Sequence, residues 1–121
     1  MSLNVDTFIY EANGKWTLLE DPDDDYNKTR AGFESARQKL WGSEAVQALG
    51  AHFFPRLDGD NLQVEPREID DFLAECGAIR PHLDQLGEVS GYGTEYVTEC
   101  FNNILAASVR AKAEGGGVIV W

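Results

Sequence analysis

The side chains in this sequence that could do chemistry are two histidines, two cysteines and two runs of closely spaced carboxylates. His52 and His82 stand outside any H-x-x-x-H, H-E-x-x-H or C-x-x-C spacing, so the sequence supplies no zinc ligand set. Cys76 and Cys100 fall on apolar helical stripes, where thiols stay protonated and inert. Only if their helices packed together with His52 alongside would one of them gain a base and act as a nucleophile. No G-x-S-x-G is present, and Gly91-Tyr92-Gly93 lacks the third glycine and the preceding strand of a phosphate cradle. The expectation is a chain that is not an enzyme and carries no cofactor and no resident metal.

The carboxylate runs are the remaining chemistry. Asp58-Gly59-Asp60-Asn61, followed by Glu65 and Glu68, supplies the closely spaced oxygens that hard cations need. With Asp58 at position 3 of a calcium loop, however, Arg56 takes position 1 and Glu68 falls one residue late for the bidentate position. Asp21-Pro22-Asp23-Asp24-Asp25 crowds four carboxylates that a cation or a lysine-rich partner would relieve. A solvated loop explains that run more simply, and a tight turn with an acidic helix cap explains the other. Divalent-cation binding through these acidic loops is the alternative function.

The elements that must position such groups follow from periodicity. Tyr96, Val97, Cys100, Phe101, Ile104, Leu105, Ser108/Val109 and Ala111 keep a three-four spacing, which predicts a helix over Thr94–Glu114 with one buried stripe. Thr94 is its expected N-cap, and Gly115-Gly116-Gly117 is its stop. Val118-Ile119-Val120-Trp121 then reads as a short buried strand. At the other end, residues 4–20 read as a hairpin about Asn13-Gly14, with Ile9 opposite Leu18 and Phe8 opposite Leu19. Both of its faces carry apolar side chains, so the sheet is covered on two sides or self-associates. Met1–Leu3 are given no role, and the start of the chain lacks the basic and apolar regions of a signal peptide.

Between these ends, Phe33, Ala36, Arg37, Leu40 and Trp41 predict a helix from about Arg30. Gly42 breaks it, and Ser43 with Glu44 restarts an apolar face through Val46, Leu49, Phe53 and Phe54. Leu62-Gln63-Val64 reads as a strand. Pro66 opens a helix with the stripe Ile69, Phe72, Leu73, Cys76 and Ile79, and Pro81 ends or kinks it. Leu83 and Leu86 continue to Gly87. The fold class is therefore α+β in a single domain, 1–121. Its small antiparallel or mixed sheet (N-terminal hairpin, a middle strand and a C-terminal strand) packs on four or so helices.

Charge narrows the partners. A net charge of -11 argues against a nucleic-acid backbone or an anionic membrane surface as ligand. No apolar run is long enough to span a bilayer, and reduced cysteines point to the cytoplasm. Between Glu65 and Glu99 nine acids stand against Arg67 and Arg80, a net of -7 lying opposite the apolar stripes. A solvated helix surface accounts for such a face, and so does attraction to a basic partner, with Tyr92 and Tyr96 as contact anchors.

A small acidic α+β chain with Glu- and Asp-rich helices, closing on Gly115-Gly116-Gly117-Val118-Ile119-Val120-Trp121, resembles the immunity proteins of bacterial polymorphic-toxin systems in size, charge and element order. That resemblance implies a bacterial, cytoplasmic protein that blocks a basic toxin, often a nuclease, by covering its active site or an adjacent surface. On this reading Glu68, Asp70, Asp71, Glu75, Glu95 and Glu99 supply charge to a partner-binding face, and Tyr92 and Tyr96 supply contact area. Homodimerisation through a sheet edge is the remaining assembly the sequence allows.

Overall fold

The computed structural model describes residues 2–19 and 26–121, so the Asp21–Asp25 run lies outside the described residues. The first strand, β1 (Ser2–Tyr10), turns back into β2 (Trp16–Leu18), and β3 (Arg30–Phe33) follows. A π-helical turn at Arg37–Trp41 and a single helical turn, α1 (Glu44–Gln47), lead to β4 (Leu62–Val64). Three helices of eight residues or more come next: α2 (Ile69–Ile79), α3 (Leu83–Ser90) and α4 (Thr94–Glu114). The strand β5 (Gly117–Val120) completes the order. The fold is α+β with an antiparallel sheet, and among the described residues it has fewer full helices than the four or so expected from the sequence.

The sheet runs β2-β1-β5-β4, and β3 also pairs with β1. Its β1 strand is shared along one edge, since Phe8–Tyr10 pair with β2 and Ser2–Asn4 with β3. Along the other edge β5 sits between β1 and β4. Register then assigns the faces, because residues directly opposite one another share a face and neighbours along a strand alternate. Val5 pairs with Val120 and Thr7 with Val118, while Leu62 and Val64 meet the same two valines from β4. This is the covered face. Val5, Leu62, Val64, Val118 and Val120 form one buried cluster with Phe72, Cys76, Val97, Phe101 and Ile104 of the helices. The Thr7 hydroxyl is buried there too and donates to the Ala107 carbonyl at 2.9 Å, which anchors α4 across β1.

The hairpin register differs from the expected one by one residue: Phe8 opposes Leu18 and Tyr10 opposes Trp16. The Gly14 amide donates back to the Glu11 carbonyl at 2.9 Å, and the Glu11 amide donates to the Lys15 carbonyl at 2.7 Å. A turn through Ala12-Asn13 is thus followed by Gly14 at φ 85°, a three-residue loop in place of the two-residue one. The extra residue is what moves the register.

The helix expected from Arg30 is also absent. Arg30–Phe33 is a strand on β1, and Gly32 sits at φ 141°, where a Cβ would stand 3.0 Å from that of Ala36. Trp41 packs inward and donates its indole N–H to the Ala31 carbonyl at 2.9 Å, so the turn holds the strand from below. Ser43 caps α1 as expected, but Gly50 at φ 88° stops the helical path before Phe53 and Phe54. Leu3, given no role by the sequence, is fully buried. The long helix has its expected bounds, yet its cap is Gly93 rather than Thr94. Gly93 takes φ 90°, ψ 150°, a conformation unfavourable to threonine, and no side chain caps the helix there.

At the other end of α4, Gly115 at φ 70° turns the chain out of the helix. Gly117 answers a different need. A Cβ on it would lie 2.2 Å from the Val64 carbonyl oxygen and 2.5 Å from the Phe8 ring.

Candidate functional site

The carboxylates expected to gather on one helical wall are divided between two ends of the molecule and are mostly engaged. Glu68 closes a capping box, accepting the Glu65 amide at 3.1 Å, and stands 3.8 Å from the Arg56 guanidinium. Asp70 pairs with Lys112 at 2.8 Å. Glu75 accepts the amide of His52 at 2.5 Å, of Phe53 at 3.0 Å through both oxygens, and of Phe54 at 2.9 Å. It serves as the anchor of the 52–54 turn. Asp71 lines a groove of about 440 Å³ between that turn and α2, together with Leu49, Phe53, Ala74 and Ala78.

Glu95 and Glu99 belong to the opposite end. Lys112, which holds Asp70, is seventeen residues beyond Glu95 on one helix, a separation of about 25 Å at the α-helical rise. Glu99 is bonded to Arg30 at 2.7 Å. Glu95 is exposed and has no ion pair among the described residues. Tyr92 and Tyr96 do come together here, with ring centroids 5.5 Å apart. Phe33, which the sequence reading placed on a helix, completes the group. Its ring stacks on Tyr96 at 5.2 Å with planes 11° apart and lies 6.1 Å from Tyr92. Phe33 remains 53% exposed. The Tyr92 hydroxyl bonds the Ser35 hydroxyl, which fixes the outer ring. Four of the eight residues singled out in the sequence thus share one surface, and Phe33 is the one that was missed. Gly32 only weakens a helix there, and it is the pairing with Ser2–Asn4 that makes the segment a strand.

Burial governs the ionisable groups beneath this surface. It pushes the Tyr96 hydroxyl up to about 12, with the neighbouring Cys100 thiol adding to the shift. The Cys100 thiol is itself pushed up, chiefly by burial. Cys76 rises to about 12 for the same reason, with Glu75 contributing. Both cysteines are free, buried and protonated at neutral pH, the opposite of an activated nucleophile.

The acidic loop at residues 58–68 is held by guanidinium groups. Arg37 donates to the Asp60 carbonyl and to the Asn61 side-chain oxygen, while Arg56 faces Glu68. Asp60 turns its carboxylate onto the Asn61 amide at 2.7 Å. Among the described residues no three His, Cys, Asp or Glu side chains converge as a metal site would require. No helix among them is long and apolar enough to cross a membrane.

A second exposed aromatic group lies on the face of the sheet turned away from α4. Phe8 and Ile119 are buried there but outside the main core cluster, under Tyr10, Trp16 and Trp121. Phe8 lies 5.6 Å from both Tyr10 and Trp16, and Trp16 lies 6.2 Å from Trp121. Compared with protein-family models, curated proteins and solved structures, the chain matches none.

Proposed function

We propose that this chain is a non-enzymatic protein-binding domain whose partner is basic, and that its finer role is that of an immunity-type inhibitor of a basic toxin in the bacterial cytoplasm. The observation carrying this reading is the stack of Phe33 on Tyr96, with Tyr92 alongside and Phe33 more than half exposed. A surface ring held in place by its neighbours offers contact area at little further loss of conformational freedom, the property of interface anchors. Glu95 and the Arg30-bonded Glu99 border the rings, and the net charge of -11 draws a cationic partner toward the molecule. Asp70, Glu68 and Glu75 act within the fold on this reading, and Asp71 stands apart from the contact.

The test is capture of a basic protein from the source organism by the wild-type chain and by Phe33→Ala/Tyr92→Ala. Loss of capture in the variant is expected, with affinity for the captured protein falling between low and high ionic strength. Capture that ignores the ring substitutions, or an affinity indifferent to salt, would sink the reading.

A further inference from the structure

The turn that follows α1 is held off α2 by the side chain that joins them. Gly50 at φ 88° ends the helical path. Glu75, reaching across from α2, then takes the amides of His52, Phe53 and Phe54, so this part of the turn stands a glutamate's length from the helix. Beside that strut α2 presents Ala74 and Ala78, both exposed and too short to fill the gap. The result is a groove of about 440 Å³, walled by Leu49 and Phe53 on the turn and by the two alanines on the helix. That volume is typical of small-molecule sites, which are apolar clefts holding a few polar groups. From Asp71 to Ala78 the helical wall is about 10 Å long at the α-helical rise.

The charge inside the groove is negative. Asp71 and Glu75 line it, and no lysine or arginine does. Glu75 is committed to its three amides, whereas the Asp71 carboxylate has no hydrogen bond or ion pair among the described residues. The surrounding cations are turned elsewhere. Arg67, four residues before Asp71, acts on the Tyr10 hydroxyl at the sheet. Arg56 lies over the Phe53 ring at 4.7 Å and faces Glu68 at 3.8 Å, and Lys112 is held by Asp70 at 2.8 Å. Arg80, nine residues after Asp71, falls on the opposite side of α2. An ion that carries a positive charge on an apolar body gains at Asp71 and along Leu49, Ala74 and Ala78, while an anion meets two carboxylates.

We infer that this groove is a binding site for a small organic cation, a primary ammonium on an apolar body, with Asp71 as its counter-ion. The occupant is a free small molecule rather than a protein side chain. None of the large apolar residues exposed on the surface, Phe33, Trp16 and Val109 among them, lines the groove. A protein partner needs a surround of contacts to exclude water from its anchor, and here recognition ends at the groove itself. The site uses no residue of the Phe33 surface and stands whether or not that surface binds a partner.

The test is an NMR titration of the isotope-labelled protein at pH 7 with phenethylammonium, and with phenylethanol and phenylpropionate as neutral and anionic counterparts. The amide signals of Ala74 and Ala78 report on the groove. Saturable shifts are expected with the ammonium at low millimolar concentration, with the alcohol roughly three- to fivefold weaker, at the scale of one exposed charge pair, and the carboxylate weaker still. Asp71→Asn, which keeps the shape of the side chain, should bring the ammonium down to the alcohol's affinity. Ala78→Leu, a change that suits an exposed helix, should fill the groove and abolish binding read at Ala74. Phe33→Ala should leave binding unchanged, so failure here and failure of the Phe33 surface are told apart. Thermal melts confirm that each variant is folded. No saturation at tens of millimolar ammonium, equal affinity for all three compounds, an Asp71→Asn variant that binds like the wild type, or acetyl-lysine methylamide binding as tightly as phenethylammonium would overturn the inference.

Discussion

Both carboxylate oxygens of Glu75 lie 3.0 Å from the amide nitrogen of Phe53, and the same group also takes the amides of His52 and Phe54. One charge thereby satisfies three successive N–H groups at the start of a helical turn, where no backbone acceptor is in reach. Glu75→Ala leaves those donors without their acceptor. The expected loss is about 2 kcal/mol, the scale of charged hydrogen bonds. Glu75→Gln, which keeps one acceptor oxygen, should lose less. Urea denaturation measures both, and an unchanged midpoint for Glu75→Ala would contradict the anchoring role.

Alkaline pH should unfold the protein through its buried neutral groups. Tyr96 is raised to about 12 from its usual 10.0, and Cys76 to about 12 from 9.0, in each case mainly by burial. Between about pH 9 and 12 the unfolded chain has released protons that the folded chain retains. Stability is therefore undiminished at neutral pH and falls as pH rises through this window. Absorbance at 295 nm should show one tyrosine titrating near pH 12, and Tyr96→Phe should remove it. All four tyrosines titrating together near 10 in the folded protein would contradict the burial of this hydroxyl.

The same burial makes the thiols slow to react. Cys76 and Cys100 should label with a disulfide reagent at pH 8 at least about a hundredfold more slowly in the folded chain than in urea, because reaction waits for opening. Rapid modification of either one in the folded state would restore the possibility of a cysteine nucleophile.

Gly117→Ala tests the close approach behind the aromatic face. The added Cβ meets a backbone carbonyl as well as the Phe8 ring, so the β4–β5 pairing has to move. A loss of about 2 kcal/mol or more is expected, as for overpacked core sites. At Gly115, where only a positive φ is at stake, alanine should cost about 1 kcal/mol. Thermal melting ranks the two, and the reverse order would show that the sheet absorbs the methyl group.

The long helix was legible in all but its cap because its stripe repeats over five turns and glycine follows it; both signals are local. The strand at Leu62–Val64 and the proline-marked break at Pro81 were legible for the same reason. Arg30–Phe33 was not, since its apolar spacing suits a helix and the pairing with Ser2–Asn4 that overrides it is invisible locally. At the candidate site, Tyr92 and Tyr96 were found because they stand four residues apart, in the loop before α4 and in its first turn. Phe33 joins them only through the sheet. The roles of Glu68, Asp70 and Glu75 were hidden in a similar way. A run of acids looks alike whether its members face water or hold Arg56, Lys112 and the 52–54 amides, and those partners lie 12 to 42 residues away.

Strand β5 follows every other element in the chain yet lies inside the sheet, separating β1 from β4. Until residues 117–120 are in place, neither of those neighbours has its partner along that side, and β4 has no place in the sheet at all. The sheet is therefore complete only when this one strand is joined to both neighbours. Such an order delays the pairing of distant segments and leaves hydrogen-bonding edges open in any shortened or partly folded chain.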